Sequence, residues 1–234
     1  MTKMARVLYF VLLSLVAAVL VVVVFIIGSG QDHSTSSSDR ILPGAAFVAS
    51  CLLCISLSVF PNWGRNFVSQ SSRSRAETNH YVNSRKYRGH HPDCIGFQTH
   101  RISLGHREYC SGCLGLMSGA ALSIPLMIIY AASGGNLPKG MSVALMALGC
   151  GVVLVANVEA AIGSRRPSLH LFANSIMIVG FFLLVVGMLE ATGNGVSGLL
   201  VVSFSFLWID TRIQLSNWRH SLVCSECPEG CKMY

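Results

Sequence analysis

The stretch VLYFVLLSLVAAVLVVVVFII, Val7–Ile27, decides the fold class of this chain. It carries no charged residue, and a helix needs about 20 apolar residues to cross the hydrocarbon of a bilayer. Backbone N–H and C=O groups find no water there, so such a run is satisfied only as a helix. A secretory signal has a shorter apolar core, about 7–15 residues, before a small-residue cleavage site. Here the run is longer, and the Ile-Ile-Gly-Ser-Gly at its end is a poor cleavage site, so it reads as a retained helix.

Working outward, five more runs have spanning length, roughly Ile41–Phe60, Leu114–Ala132, Met141–Ile162, Leu169–Leu189 and Val196–Ile213. The 234-residue chain has a mean hydropathy of +0.58 and 12% charged residues. Soluble domains carry about twice that charge. The expectation is an all-α integral membrane protein of about six transmembrane helices. The lipid bilayer is its first partner. Helix 1, all aliphatic, reads as lipid-facing.

The orientation follows from Lys and Arg, which concentrate in cytosolic loops. With the N-terminus inside, 15 of the 17 basic residues fall on the inner side, and only Arg40 and Lys139 fall outside. Both termini are therefore expected in the cytosol, in the cytoplasmic membrane of a prokaryote. The net charge of +7 follows from this bias, so no nucleic-acid partner is expected. The chain divides into a first helix pair (1–63), a basic linker with a Cys/His loop (64–113), a four-helix part (114–213) and a Cys-rich tail (214–234).

The Cys/His loop reads HHPDCIGFQTHRISLGHREYCSGC from His90 to Cys113. Two cysteines separated by two residues can grip one ion, with zinc–sulfur bonds of about 2.3 Å. Cys110 and Cys113 have that spacing, and Gly112 favours the turn. Cys94 and His100 are the expected further ligands, with His90, His91 and His106 as alternatives. The tail offers a second set, His220, Cys224, Cys227 and Cys231, with Pro228 and Gly230 letting the chain wrap an ion. The cytosol keeps thiols reduced, which favours metal over disulfide. Zinc is the expected cofactor, and an iron–sulfur cluster is the second reading for the tail. Cys51 and Cys54, inside an apolar helix, read as small packing residues.

Polar residues at membrane depth are functional candidates by default. Asn157, Glu159, His170, Asn174, Asp210 and Arg212 all fall on the inner side. They read either as solvated pairs, Glu159–Arg166 and Asp210–Arg212, or as a polar pocket under the metal loop built from Glu159, His170, Asn174 and Asp210. Glu190, at the outer end of helix 5, reads as interfacial.

Cys94, Phe97, His100 and Cys110-Ser-Gly-Cys113-Leu-Gly resemble a family of predicted prokaryotic membrane proteins known only as a domain of unknown function. Its pattern has an early Cys-His element, a Ser-Phe segment, and C-x-R-C-x-G leading into a helix. Gly112 stands here in place of the Arg, and the order around Cys94 and His100 differs. Glu159, Gly163, Arg165 or Arg166, and Asn174 align loosely with a second element of that family. The resemblance covers about Cys94–Gly180. It implies a membrane protein with a metal-binding loop and no established activity.

No Walker loop, HExxH, GxSxG or dinucleotide fingerprint occurs, so the chain leans away from an enzyme. The expectation is a non-catalytic membrane subunit whose structural zinc sites hold a docking surface for protein partners in a larger complex. A membrane redox or metal-dependent enzyme, and a metal-handling or transport protein, are the alternatives.

Overall fold

The computed structural model describes residues 3–29, 36–59, 87–88, 100–133, 137–163 and 166–225. Six helices in it are long and apolar enough to cross a membrane. They are α1 (Lys3–Ser29), α2 (Ser37–Val59), α3 (Ser111–Ser133), α4 (Lys139–Ile162), α5 (Pro167–Thr192) and α6 (Gly195–Ser225). A small sheet precedes α3, with strands β1 (Tyr87–Arg88), β2 (Arg101–Leu104) and β3 (Arg107–Cys110) in the order β1-β3-β2. The chain is thus a helical multi-pass membrane protein whose described residues also form a small three-stranded sheet ahead of α3.

Lipid is as apolar as leucine, so helices in a bilayer associate through close packing and interhelical hydrogen bonds. The sequence of α5 is apolar almost throughout, and this helix is the axis of the bundle. It buries Met177, Phe181, Leu184, Val185, Met188 and Leu189. Small residues let neighbours approach it. A Cβ on Gly119 of α3 would sit 2.9 Å from the Ser175 Cα of α5, so the backbones touch there. Ser118 adds a 3.2 Å hydrogen bond to Ser175. Gly149 of α4 meets Leu184 in the same way.

Helix α1 differs from its expected uniform contact with lipid. Its Ser14 hydroxyl lies 2.6 Å from the Thr211 hydroxyl of α6. Trp208 Nε1 donates to the Ser14 carbonyl at 3.2 Å. One stripe of α1, including Ala17 and Val21, is buried, while Leu12, Val16 and Val19 remain outward. The Ser14 hydroxyl therefore marks the docked face of an otherwise largely apolar helix.

Helix α2 begins earlier than the hydropathy run. The Ser36 hydroxyl accepts the Asp39 N–H at 3.2 Å, which caps the first turn. This draws Arg40 into the helix, where its Nε lies 3.8 Å from Glu190 Oε1 of α5. Glu190 also accepts from the Tyr130 hydroxyl at 2.7 Å and from the Leu137 N–H at 2.9 Å. Its side chain is 2% exposed, so the expected interfacial position is corrected to a buried one. The cause is Arg40: a carboxylate is held in the bundle when a cation and two donors satisfy it.

Helix α6 continues past the expected end at Ile213 to Ser225. No Pro or Gly occurs between Leu199 and Cys227 to stop it. At 1.5 Å per residue it is about 46 Å long, against a hydrocarbon core of about 30 Å. It exceeds that thickness by about three turns, and its last turns carry Trp218, Arg219, His220 and Cys224.

Candidate functional site

The site lies at the end of the bundle where α3 and α5 begin and α4 ends. The hairpin that delivers the chain to α3 pairs Arg101 with Cys110 and Leu104 with Arg107. Gly105 supplies the positive φ (61°) that its tight turn requires. The register puts His100 next to the residue opposite Cys110. Helix α3 begins at Ser111, so Cys113 lies in its first turn rather than in a loop before it. The Cys110-Ser-Gly-Cys113 knuckle is therefore a strand-to-helix junction.

Below it, α4 contributes Glu159, α5 contributes His170 and Asn174, and α6 contributes Arg212. The Arg212 guanidinium is the hub. Its Nη2 donates to Glu159 Oε2 at 2.8 Å, its Nε to Asn174 Oδ1 at 2.7 Å, and its Nη1 to the Ala156 carbonyl. The second oxygen of Glu159 lies 2.8 Å from His170 Nδ1. Asn174 Nδ2 donates to the His170 carbonyl at 2.6 Å. Glu159 and Arg212 are both buried. Both carboxylate oxygens are engaged by charge-assisted contacts, which makes burial tolerable.

His100 then joins this network to α6. Its ring stacks on His170 with centroids 4.8 Å apart and meets His220 edge-on at 5.6 Å. His220 is buried, with Nε2 3.3 Å from the Ser216 hydroxyl. His100, at the hairpin foot, thus touches one histidine of α5 and one of α6.

Of the residues expected to form a polar pocket, Glu159, His170, Asn174 and Asp210, the first three meet in this network. Asp210 is elsewhere, and its Oδ1 accepts from Gln214 at 3.4 Å. The expected pairs are replaced as well, since Glu159 takes Arg212 rather than Arg166. Residues two apart on a helix point in different directions, so Asp210 and Arg212 cannot pair.

Of the expected metal ligands, Cys94, Cys227 and Cys231 lie outside the described residues, as do His90 and His91. Among those described, the Cys110 and Cys113 thiols are hydrogen-bonded to each other. His220 and Cys224 belong to α6, where their spacing of four puts them on one helix face. His106 is at the hairpin turn, remote along the hairpin from Cys110. Among the described residues, no three His, Cys, Asp or Glu side chains converge as a metal ion requires.

What the sequence did not single out is a cavity of about 850 Å³ between α2, α3, α5 and α6. Its polar end holds His100, Cys110, Cys113, His170, Asn174, Arg212, Asn217, Arg219 and His220. Its walls are apolar: Phe47, Leu53 and Leu57 on α2, Leu116 on α3, Ile178 and Phe181 on α5, and Phe206, Ile209 and Leu222 on α6. Leu53, Leu57 and Phe206 are also 45%, 42% and 47% exposed, so the gap between α2 and α6 opens sideways at membrane depth. Cys51 and Cys54 line this wall rather than serving only as packing.

Fold and site together define a multi-pass helical membrane protein with an amphipathic cavity at one end of its bundle. Compared with protein-family models, curated proteins and solved structures, the chain matches none.

Proposed function

We propose that this protein is a binding protein of the cytoplasmic membrane of a prokaryote, with both termini in the cytosol, that takes a membrane-borne amphiphile into the cavity beneath its Cys/His cap. The observation that carries the reading is the cavity's form. It has the size of a ligand site, within the usual 300–1,000 Å³. Its walls are apolar and reach the bilayer side, and its polar groups gather at one end. The placement of 15 of 17 basic residues supports a cytosolic position for that end. A scaffold for a larger complex, the first expectation, would need no such cavity.

Zinc enters this reading as a staple of the cap. Cys110, Cys113 and His100, with Cys94, are the residues that would hold it. What supports the set is sequence spacing and the register, which sets His100 one residue from the partner of Cys110; His100, Cys110 and Cys113 do not converge among the described residues, so binding would draw them together. A structural zinc with four protein ligands contributes folding energy and leaves no position for substrate. The role of the set is then to fix the angle at which α3 enters the membrane, and no catalytic step is assigned to it.

The test is native mass spectrometry of the full chain released from nanodiscs. A lipid-sized adduct is expected on the wild type and absent from Leu57→Trp, which fills the lateral opening. An adduct retained at full occupancy by Leu57→Trp would overturn the cavity reading.

A further inference from the structure

The sign of charge in the cavity specifies its ligand further. Among the described residues, no aspartate or glutamate lines it. Glu159 is the nearest carboxylate in the network, and Arg212 and His170 hold both its oxygens. The lining does include Arg212, Arg219, His100, His170 and His220. Arg212 cancels Glu159, which leaves Arg219 as net positive charge before any histidine is protonated. Arg219 is half-buried, and its guanidinium passes over Gly163, where a Cβ would lie 2.6 Å from Nε. Gly163 terminates α4 with a φ of 68° and offers no side chain to obstruct the arginine. Ser216 and Asn217, on the same stretch of α6, add a hydroxyl and an amide.

The cavity also receives the start of α3, because Ser111, Gly112 and Cys113 line it. The first N–H groups of a helix have no intrahelical partner and carry partial positive charge. Ser111, Gly112 and Cys113 thus border the same cavity as Arg219. A cation, the positive end of a helix and neutral hydrogen-bonding side chains, with aliphatic walls open to lipid, complement an anion on a hydrocarbon chain. Arginine and helix N-termini both favour phosphate.

We infer that the cavity binds a membrane lipid with a phosphate headgroup, the phosphate at Arg219 and the start of α3, and the chain between α2 and α6. The inference rests on the cavity reading given above and adds the chemistry of the head. In non-ionic detergent micelles free of phospholipid, the full chain is titrated with phosphatidic acid, with diacylglycerol of the same chains, and with inorganic phosphate, and occupancy is read by native mass spectrometry. Phosphatidic acid is expected to bind at least about tenfold tighter than diacylglycerol, the worth of one charge-assisted contact. Arg219→Gln is expected to remove that preference, while binding of diacylglycerol stays as it was. Leu57→Trp is expected to abolish binding of both lipids. Equal binding of the two lipids, or a preference that survives Arg219→Gln, would overturn the phosphate assignment while leaving the cavity reading standing. Lipid binding that survives Leu57→Trp would overturn both. Saturation by inorganic phosphate at the same concentration as the lipid would show a soluble anion site and overturn the lipid assignment.

Discussion

Replacement of Arg212 by methionine isolates the interaction that ties α4, α5 and α6 together at the site. The guanidinium makes contacts to Glu159, Asn174 and the Ala156 carbonyl, and all are buried. Interhelical hydrogen bonds in membrane bundles average about 0.6 kcal/mol each, so their loss alone accounts for about 2 kcal/mol. The larger effect is electrostatic. Glu159 would stay buried with only His170 beside it, and breaking a buried pair from one side costs about 3–5 kcal/mol. The charge contribution therefore dominates. The double variant Arg212→Met with Glu159→Leu removes the stranded carboxylate and leaves mainly the hydrogen-bond loss. It should be more stable than Arg212→Met by about 2 kcal/mol or more. Equilibrium unfolding in mixed micelles, followed by far-UV circular dichroism, measures both. A single variant within about 1 kcal/mol of wild type would refute this reasoning. So would a double variant no more stable than the single one.

Gly119→Val would push a side chain into the α5 backbone at Ser175, and overpacking of this kind should cost about 1–3 kcal/mol, read in the same unfolding assay. At the other end, Glu190→Ala removes the acceptor for Tyr130 and Leu137 and the partner of Arg40, and a loss of about 3 kcal/mol is expected. Asp210 accepts a long hydrogen bond from Gln214, so Asp210→Asn should stay within about 0.5 kcal/mol of wild type, and a larger loss would show that Asp210 belongs to a network after all. Metal analysis of the purified chain should find zinc in a colourless sample and less of it in Cys113→Ser; iron with a visible absorption band would replace the zinc staple by a redox cluster.

The six helices were legible because composition alone dictates them: a long apolar run has no other way to satisfy its backbone in lipid. The depth of Glu159, His170 and Asn174 was legible for the same reason, since each falls a fixed number of residues from a helix end. Which of them meet was not. Pairing of Glu159 with Arg212 depends on helix rotation, and nearly featureless aliphatic sequences leave rotation unmarked. Two local signals in the sequence carry further information. Ser36-x-x-Asp39 is a capping pattern that starts α2 early and brings Arg40 into the bundle. The absence of Pro and Gly from Leu199 to Cys227 means that α6 has no reason to stop at Ile213. The cavity had no local signature at all. It is a space left between α2 and α6, and its lining comes from five separated segments.

The central claim is that lipid enters between α2 and α6, and site-mapped photo-crosslinking tests it most directly. The full chain in native membranes is exposed to a photoactivatable acyl-chain probe, and the labelled residues are located by peptide mass spectrometry. Preferential labelling of Leu53, Leu57, Phe206 and Leu222, reduced by Leu57→Trp, is the predicted result. Labelling confined to the outward faces of α1 and α4, at residues such as Leu12, Val16, Leu154 and Val155, would contradict it.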